Sequence, residues 1–255
     1  MGSDMPCTLK GVVRYTGAPF AGWQAQPGLR TVQGELENAL SRIASQPISV
    51  SGASRTDAGV HALGQVFSCE WPEPFPARLR HALSKMLGPE IRVVSLEEAP
   101  PGFNARFSAQ GKRYAYSIDF NREPDPFCAA YAWHVPYRTD LDLLQSLLPA
   151  LLGPHDFAGF QSTGNQSTTT LRTLHDASLL KGPVIGPQDA ENLWRLELSG
   201  NAFLYHMVRN IAGTLVEIAR GRFPVSFLEE SLHSPGPFKG HCAPAHGLAL
   251  MRVFY

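Results

Sequence analysis

Over residues 8–16 polar and apolar side chains alternate, with Leu9, Val13 and Tyr15 on one side and Lys10, Val12 and Arg14 on the other. That period of two predicts a strand with one mostly apolar face. After a turn rich in Gly and Pro, the period changes. Val32, Leu36, Ala39, Leu40 and Ile43 recur at helical spacing behind Thr31, a residue suited to cap a helix. Residues 48–52 and 65–70 read as strands flanking a polar loop. Leu79, Ala82, Leu83, Met86 and Leu87 mark a second helix that Gly88 ends, and residues 91–96 return to a strand. The order is βαββαβ, which fits a ferredoxin-like unit.

The second half repeats the order. Residues 112–120 alternate as a strand, and residues 141–152 form an apolar helix whose last turn Pro149 bends or shortens. Residues 171–180 and 193–199 are strands. Residues 205–220 carry the helical stripe Met207, Ile211, Leu215 and Ile218. A short helix is expected over 226–233 and a closing strand over 249–255. No residue-level repeat accompanies this, so the duplication is one of pattern. The predicted class is α+β. Two ferredoxin-like halves, 1–104 and 105–255, are expected to merge their strands into one largely antiparallel sheet with helices behind it. An open sheet face edged by loops is a common place to read RNA.

Composition narrows the class without naming a function. A chain of 255 residues, 44% hydrophobic and 17% charged, has the makings of a globular core. No apolar run reaches the roughly 18 residues that a membrane span needs, and no secretory signal is visible. Residues 1–5 read as a flexible start without a role. Cys7, Cys69, Cys128 and Cys242 are far apart, form no CxxC pair and read as the reduced, mostly buried thiols expected of a cytoplasmic protein. Cys242 lies between His241 and His246, but a zinc site needs about four ligands and no second cluster supplies the rest, so no metal is expected. Net charge is zero, which gives no support to nucleic-acid binding. The part up to Arg122 holds 13 basic and 10 acidic residues, the remainder 9 and 12, a mild asymmetry. RNA binding would require the basic residues to gather on one face.

The densest polar run is Ser51-Gly52-Ala53-Ser54-Arg55-Thr56-Asp57-Ala58-Gly59-Val60-His61, in the loop between two predicted strands. Taken alone it is an ordinary turn in which Asp57 caps a nearby backbone N–H. Its wording changes that reading. Arg55-Thr56-Asp57-Ala58-Gly59-Val60-His61-Ala62, followed by Gly64-Gln65-Val66, resembles the signature loop of the bacterial tRNA pseudouridine synthase A (TruA) family. Four further stretches resemble family segments in the same order. They begin at Phe20 (Phe-Ala-Gly-Trp-Gln-Ala-Gln), at Phe103 (Phe-Asn-Ala-Arg-Phe-Ser-Ala, with Arg113-Tyr114-Ala115-Tyr116 after it), at Asn201 (Asn-Ala-Phe, with His206 to Ile211) and at Ala243 (Ala-Pro-Ala-His-Gly-Leu). Ser54 stands where the family commonly has Gly, Thr16 where it has Asp, and Ala249 where it often has an aromatic residue. None of these departures touches the carboxylate.

The resemblance implies an isomerase that converts uridine to pseudouridine in tRNA, at positions 38, 39 and 40 of the anticodon arm. That reaction breaks the N1–C1′ bond of uridine, rotates the base and rejoins it through C5. Atoms are conserved, so no cofactor is implied. It needs a carboxylate to attack C1′ or C6 or to promote glycal formation. Asp57, the one acid in the signature loop, is implied as that group. Burial would neutralise it unless a guanidinium opposes the shift. The resemblance offers Arg209 for this task, which would put the active-site cleft between the halves. It also implies that Arg55 holds the flipped-out nucleotide's place or its backbone, that Tyr114 stacks on the uracil, and that Leu248 walls the pocket. His61 and His206 are left to packing and loop hydrogen bonds. A homodimer is expected, since a tRNA exceeds one such chain and two copies build a longer basic groove.

Two other readings compete. Gly111-Lys112-Arg113-Tyr114-Ala115-Tyr116 faintly resembles the aromatic strand of an RNA-recognition module, which would bind without chemistry. A hydrolase with paired carboxylates would need a second acid near Asp57, and the motif segments hold none. Nucleoside analysis of treated tRNA separates the three: a uridine isomer, no change, or free uracil.

Overall fold

The computed structural model describes residues 7–72, 76–164, 168–188 and 190–255; the expected flexible start at residues 1–5 lies outside them. The architecture is α+β, and the chain divides into two compact units, residues 1–110 with 250–255, and residues 111–249. The sequence division after residue 104 leaves the final strand with the second half, whereas its residues 250–255 cluster with the first unit.

The first unit runs β1 (Cys7–Tyr15), α1 (Val32–Ala44), β2 (Ser51–Gly52), β3 (His61–Trp71), α2 (Leu79–Met86) and β4 (Ile91–Glu98), and the C-terminal strand β10 (Leu248–Phe254) ends in it. Strand β1 lies antiparallel between β4 and β3, and β10 follows on the far side of β3. The alternation expected for β1 is present: Leu9, Val13 and Tyr15 are buried, while Arg14 is exposed. Thr31 caps α1, its side chain accepting from the Gly34 N–H at 3.2 Å. Gly88, at φ +63°, ends α2 in the left-handed conformation that a residue without Cβ adopts at least cost.

The strand expected over 48–52 is reduced to Ser51–Gly52. Side chains of α1 take the backbone groups that a longer strand would have used. Ser41 Oγ accepts from the Ile48 N–H, Glu37 from the Val50 N–H, and Gln33 Nε2 donates to the Val50 carbonyl. Strand β3 is longer than expected, beginning at His61.

The second unit contains β5 (Gly111–Asp119), β6 (Trp133–His134), α3 (Leu141–Leu147), β7 (Gly153–Asp156), β8 (Leu171–Lys181), β9 (Leu193–Gly200), α4 (Met207–Ala219) and α5 (Ser226–Leu232). Its antiparallel order is β5-β9-β8-β7, with β6 pairing β5 in parallel. Pro149 converts the end of the expected 141–152 helix to a 3-10 turn over Leu148–Leu151. Strands β6 and β7 carry no hydrophobic period and were not expected. Helix α4 starts at Met207 rather than 205, because His206 stands at φ +61°. It is also more deeply set than a stripe implies: every residue except Arg209 is buried.

Candidate active site

The polar run of residues 51–61 is a tightly held loop, and its anchors come from elements distant in sequence. Tyr15, the last residue of β1, bonds through its hydroxyl to Thr56 Oγ1 at 2.7 Å, both groups buried. The Gly17 N–H donates to His61 Nδ1 at 3.0 Å, and the Trp23 N–H to the Thr56 carbonyl at 2.9 Å. Gln65 ties the loop's other arm, its Nε2 donating to the Ser54 carbonyl at 2.6 Å and its Oε1 accepting from the Ser54 N–H at 3.2 Å. A hydrogen bond from the Val60 N–H to the Asp57 carbonyl closes the turn at 3.1 Å.

Close backbone approach makes this possible. Gly22 has φ +94°, and a Cβ there would meet the Thr56 carbonyl oxygen at 2.8 Å. A Cβ on Gly17 would strike the Val60 carbonyl oxygen at 2.3 Å. Both positions therefore require glycine. Within the loop Thr56 is buried, Asp57 half-buried, and Arg55 and Ala58 exposed. The carboxylate thus stands on a backbone fixed from both sides, with the cationic Arg55 two residues away in solvent. His61 is buried and engaged by Gly17 through Nδ1, the loop hydrogen bond expected of it.

In the second unit, Tyr114 lies on β5 and is buried, with the ring of Phe203 edge-on at 5.1 Å. Tyr116 follows two residues along on the same strand face. Its hydroxyl donates to the Pro244 carbonyl at 2.7 Å, and a Cβ on Gly247 would meet its ring at 2.6 Å. Arg209, in the first turn of α4, holds the same segment: its Nε donates to the Ala243 carbonyl at 2.8 Å, and the Ala243 N–H donates back to the Arg209 carbonyl at 3.2 Å. Burial pushes the Tyr116 phenol well above its usual pKa, and the Arg209 charge opposes that rise. Leu248 is buried where this segment enters β10. The stretch from Ala243 to Leu248 therefore links two expected positions, Arg209 and Leu248 itself, and it also holds Tyr116. His206 is half-buried and shares Ser162 Oγ with Asn210, whose Nδ2 also donates to the Phe160 carbonyl.

The structure thus places Arg55 and Asp57 in the first unit and Tyr114, Arg209 and Leu248 in the second. Among the described residues no group of three or more His, Cys, Asp or Glu gathers in a way that could hold a metal ion. His241 stacks on Trp133, and His246 Nε2 lies 3.1 Å from the Ala132 carbonyl. No cysteine is in a disulfide; Cys69 and Cys128 are buried, Cys7 and Cys242 half-buried. Tyr15, Gly17, Gly22 and Gln65 had no assigned role in the sequence reading. The signal for Gly22 was its place in the Phe20 segment; Tyr15 gave none beyond its strand.

Comparison with known proteins supplies the rest. The family described as tRNA pseudouridine synthase matches residues 12–108 and 148–255. The tRNA pseudouridine synthase A of Latilactobacillus sakei is 39% identical over 246 residues, covering 95% of this chain and 96% of its own. Those of Lacticaseibacillus casei and Bacillus licheniformis are each 38% identical, covering 96% and 98% of this chain and 98% of their own lengths. Matches of this extent leave one conclusion: the chain belongs to the tRNA pseudouridine synthase family.

Proposed function

We propose that the protein isomerises uridine to pseudouridine in the anticodon arm of tRNA, at positions 38, 39 and 40, with Asp57 as the catalytic carboxylate. The observation that carries this is the anchoring of the Asp57 loop. Hydrogen bonds from Tyr15, Gly17 and Trp23 and the Gln65 clasp fix its backbone on both sides of the carboxylate. A nucleophile held in place avoids the entropy loss of finding its geometry in each turnover, a contribution that preorganised sites exploit.

The reaction moves one bond. The N1–C1′ bond breaks, the uracil turns while confined, C5 joins C1′ as the C5 proton leaves, and the freed N1 takes up a proton. Reactant and product are isomers, so the balance requires no oxidant, reductant or group carrier. Arg55, Tyr114, Arg209 and Leu248 are proposed as substrate-binding residues, on the strength of the resemblance. The burial of Tyr114 beside Phe203 and the half-burial of Arg209 support roles beyond solvent contact. The target must leave its stack to react, and exposed Arg55 is suited to occupy the space or grip the phosphate chain. No described helix is long and apolar enough to cross a membrane. We place the activity in the cytoplasm, with tRNA as partner and a homodimer as the working form.

The test is Asp57→Asn, which keeps side-chain size and removes the charge and the nucleophilic oxygen. With tRNA tritiated at uracil C5, isomerisation releases label to water. Release should fall to background while filter binding of tRNA persists, since phosphate contacts supply most of that affinity. Release at a substantial fraction of the normal rate would rule out Asp57 as the catalyst.

A further inference from the structure

Apart from the Asp57 loop, the first unit carries a second polar feature. Between α2 and the start of β4 lies a cleft of about 340 Å³, lined among others by Arg80, His81, Ser84 and Arg92. Ser84 spends its hydroxyl on the Arg80 carbonyl at 2.9 Å. The nearest acid in sequence, Glu90, pairs with Arg30 at 3.6 Å, and the same Oε2 lies against Gly88 at the cleft wall, 3.0 Å from where a Cβ there would stand. Among the described residues, Arg80, His81 and Arg92 have no carboxylate partner.

The placement of these groups works against the fold. Arg92 stands directly opposite Arg14 in the β1–β4 register, and both are exposed. Like charges facing each other across strands repel. Arg14 Nε is turned to the Leu63 carbonyl at 3.1 Å, which gives the pair no counter-charge. Arg80 and His81 sit in the first turn of α2, which holds no acidic residue, at the end of the helix whose dipole disfavours cations. Arg80, His81 and Arg92 thus bring three basic groups to the lining of one cleft, where an anion is favoured. The next residue of β1 after Arg14 is Tyr15, which holds Thr56 beside Asp57. The cleft and the Asp57 loop belong to the same unit.

We propose that this cleft, with Arg14 beside it, binds a backbone phosphodiester of the tRNA whose uridine is at Asp57. The inference rests on the tRNA reading above. Phosphate recognition by guanidinium groups neutralises charge and releases counterions, so the site's contribution has a defined salt signature.

The experiment measures binding of an unmodified tRNA transcript across a range of chloride concentrations. For Arg80→Gln combined with Arg92→Gln, the slope of log affinity against log salt should become shallower by about one to two. Arg80→Lys with Arg92→Lys should recover most of the slope, because the charge returns. Lys85→Gln, on the same helix but outside the cleft, should leave the slope in place, a result that general loss of positive charge would not produce. Millimolar inorganic phosphate at matched ionic strength should narrow the difference between wild type and the double Gln variant, because it competes for the same guanidinium groups. Phosphate that leaves that difference untouched would overturn the proposal. So would an unchanged slope in the double Gln variant while wild type binds and modifies tRNA. A wild-type protein that releases no tritium from tRNA would instead overturn the reading beneath it.

Discussion

Tyr15 and Thr56 share a buried hydroxyl–hydroxyl hydrogen bond of 2.7 Å, joining the end of β1 to the residue before Asp57. Forty-one positions separate them in sequence. The bond ties the loop to a sheet strand, so the placement of the backbone at Asp57 depends in part on Tyr15.

Replacing Tyr15 with Phe tests that dependence. The ring stays beside Trp23, 6.2 Å between centroids, but Thr56 Oγ1 loses its partner in a buried position. The expected cost is about 1–2 kcal/mol of stability. Turnover should fall by about tenfold at unchanged tRNA affinity, the signature of a displaced catalytic group. Urea titration and single-turnover tritium release check the two halves. Unaltered turnover would show that the loop keeps its shape without this anchor.

At Tyr114, Phe substitution separates stacking from proton chemistry. The ring and its edge-on contact with Phe203 are retained, so affinity for tRNA should change little. If the hydroxyl helps remove the C5 proton, turnover drops by about 10²-fold or more. Near-normal single-turnover rates would leave Tyr114 as a stacking wall.

The working form is expected to be a homodimer. With zero net charge, one copy offers limited basic surface to a polyanion larger than itself. Two copies about a two-fold axis extend that surface. Sedimentation at micromolar concentration should give twice the chain mass of 27.9 kDa, and a fully active monomer would refute the expectation.

Alkaline pH should destabilise the protein through its buried thiol and phenols. Burial pushes the Cys69 thiol up to about 12 and raises the Tyr116 and Tyr255 phenols as well. In the unfolded chain these groups ionise from about 8.5 for thiols and about 10 for phenols. Between those values and the raised folded ones, the unfolded state binds fewer protons than the folded state. Stability is therefore complete below about pH 8.5 and declines as pH rises toward 12, at up to about 1.4 kcal/mol per pH unit for each group. Urea midpoints between pH 8 and 11 measure the decline. Cys69→Ala should flatten its first part, and an identical slope in that variant would remove Cys69 from the account.

Much of this protein is determined locally and was legible along the chain. The alternation of Leu9, Val13 and Tyr15 against Lys10, Val12 and Arg14 needs only one apolar sheet face. The Thr31 cap and the Pro149 break act within a single turn. The Asp57 loop was recognisable because its order of residues resembles a family signature. What tertiary structure alone decided involves groups far apart in sequence. The strand at 48–52 shrank because Gln33, Glu37 and Ser41 on α1 took its backbone partners, a competition that no local pattern records. Arg14 and Arg92 each look like ordinary exposed strand residues, and only the β1–β4 register sets them face to face. Likewise Tyr15 reads as core, and it became the anchor of the loop because the end of β1 meets Thr56 where burial makes each hydroxyl need the other.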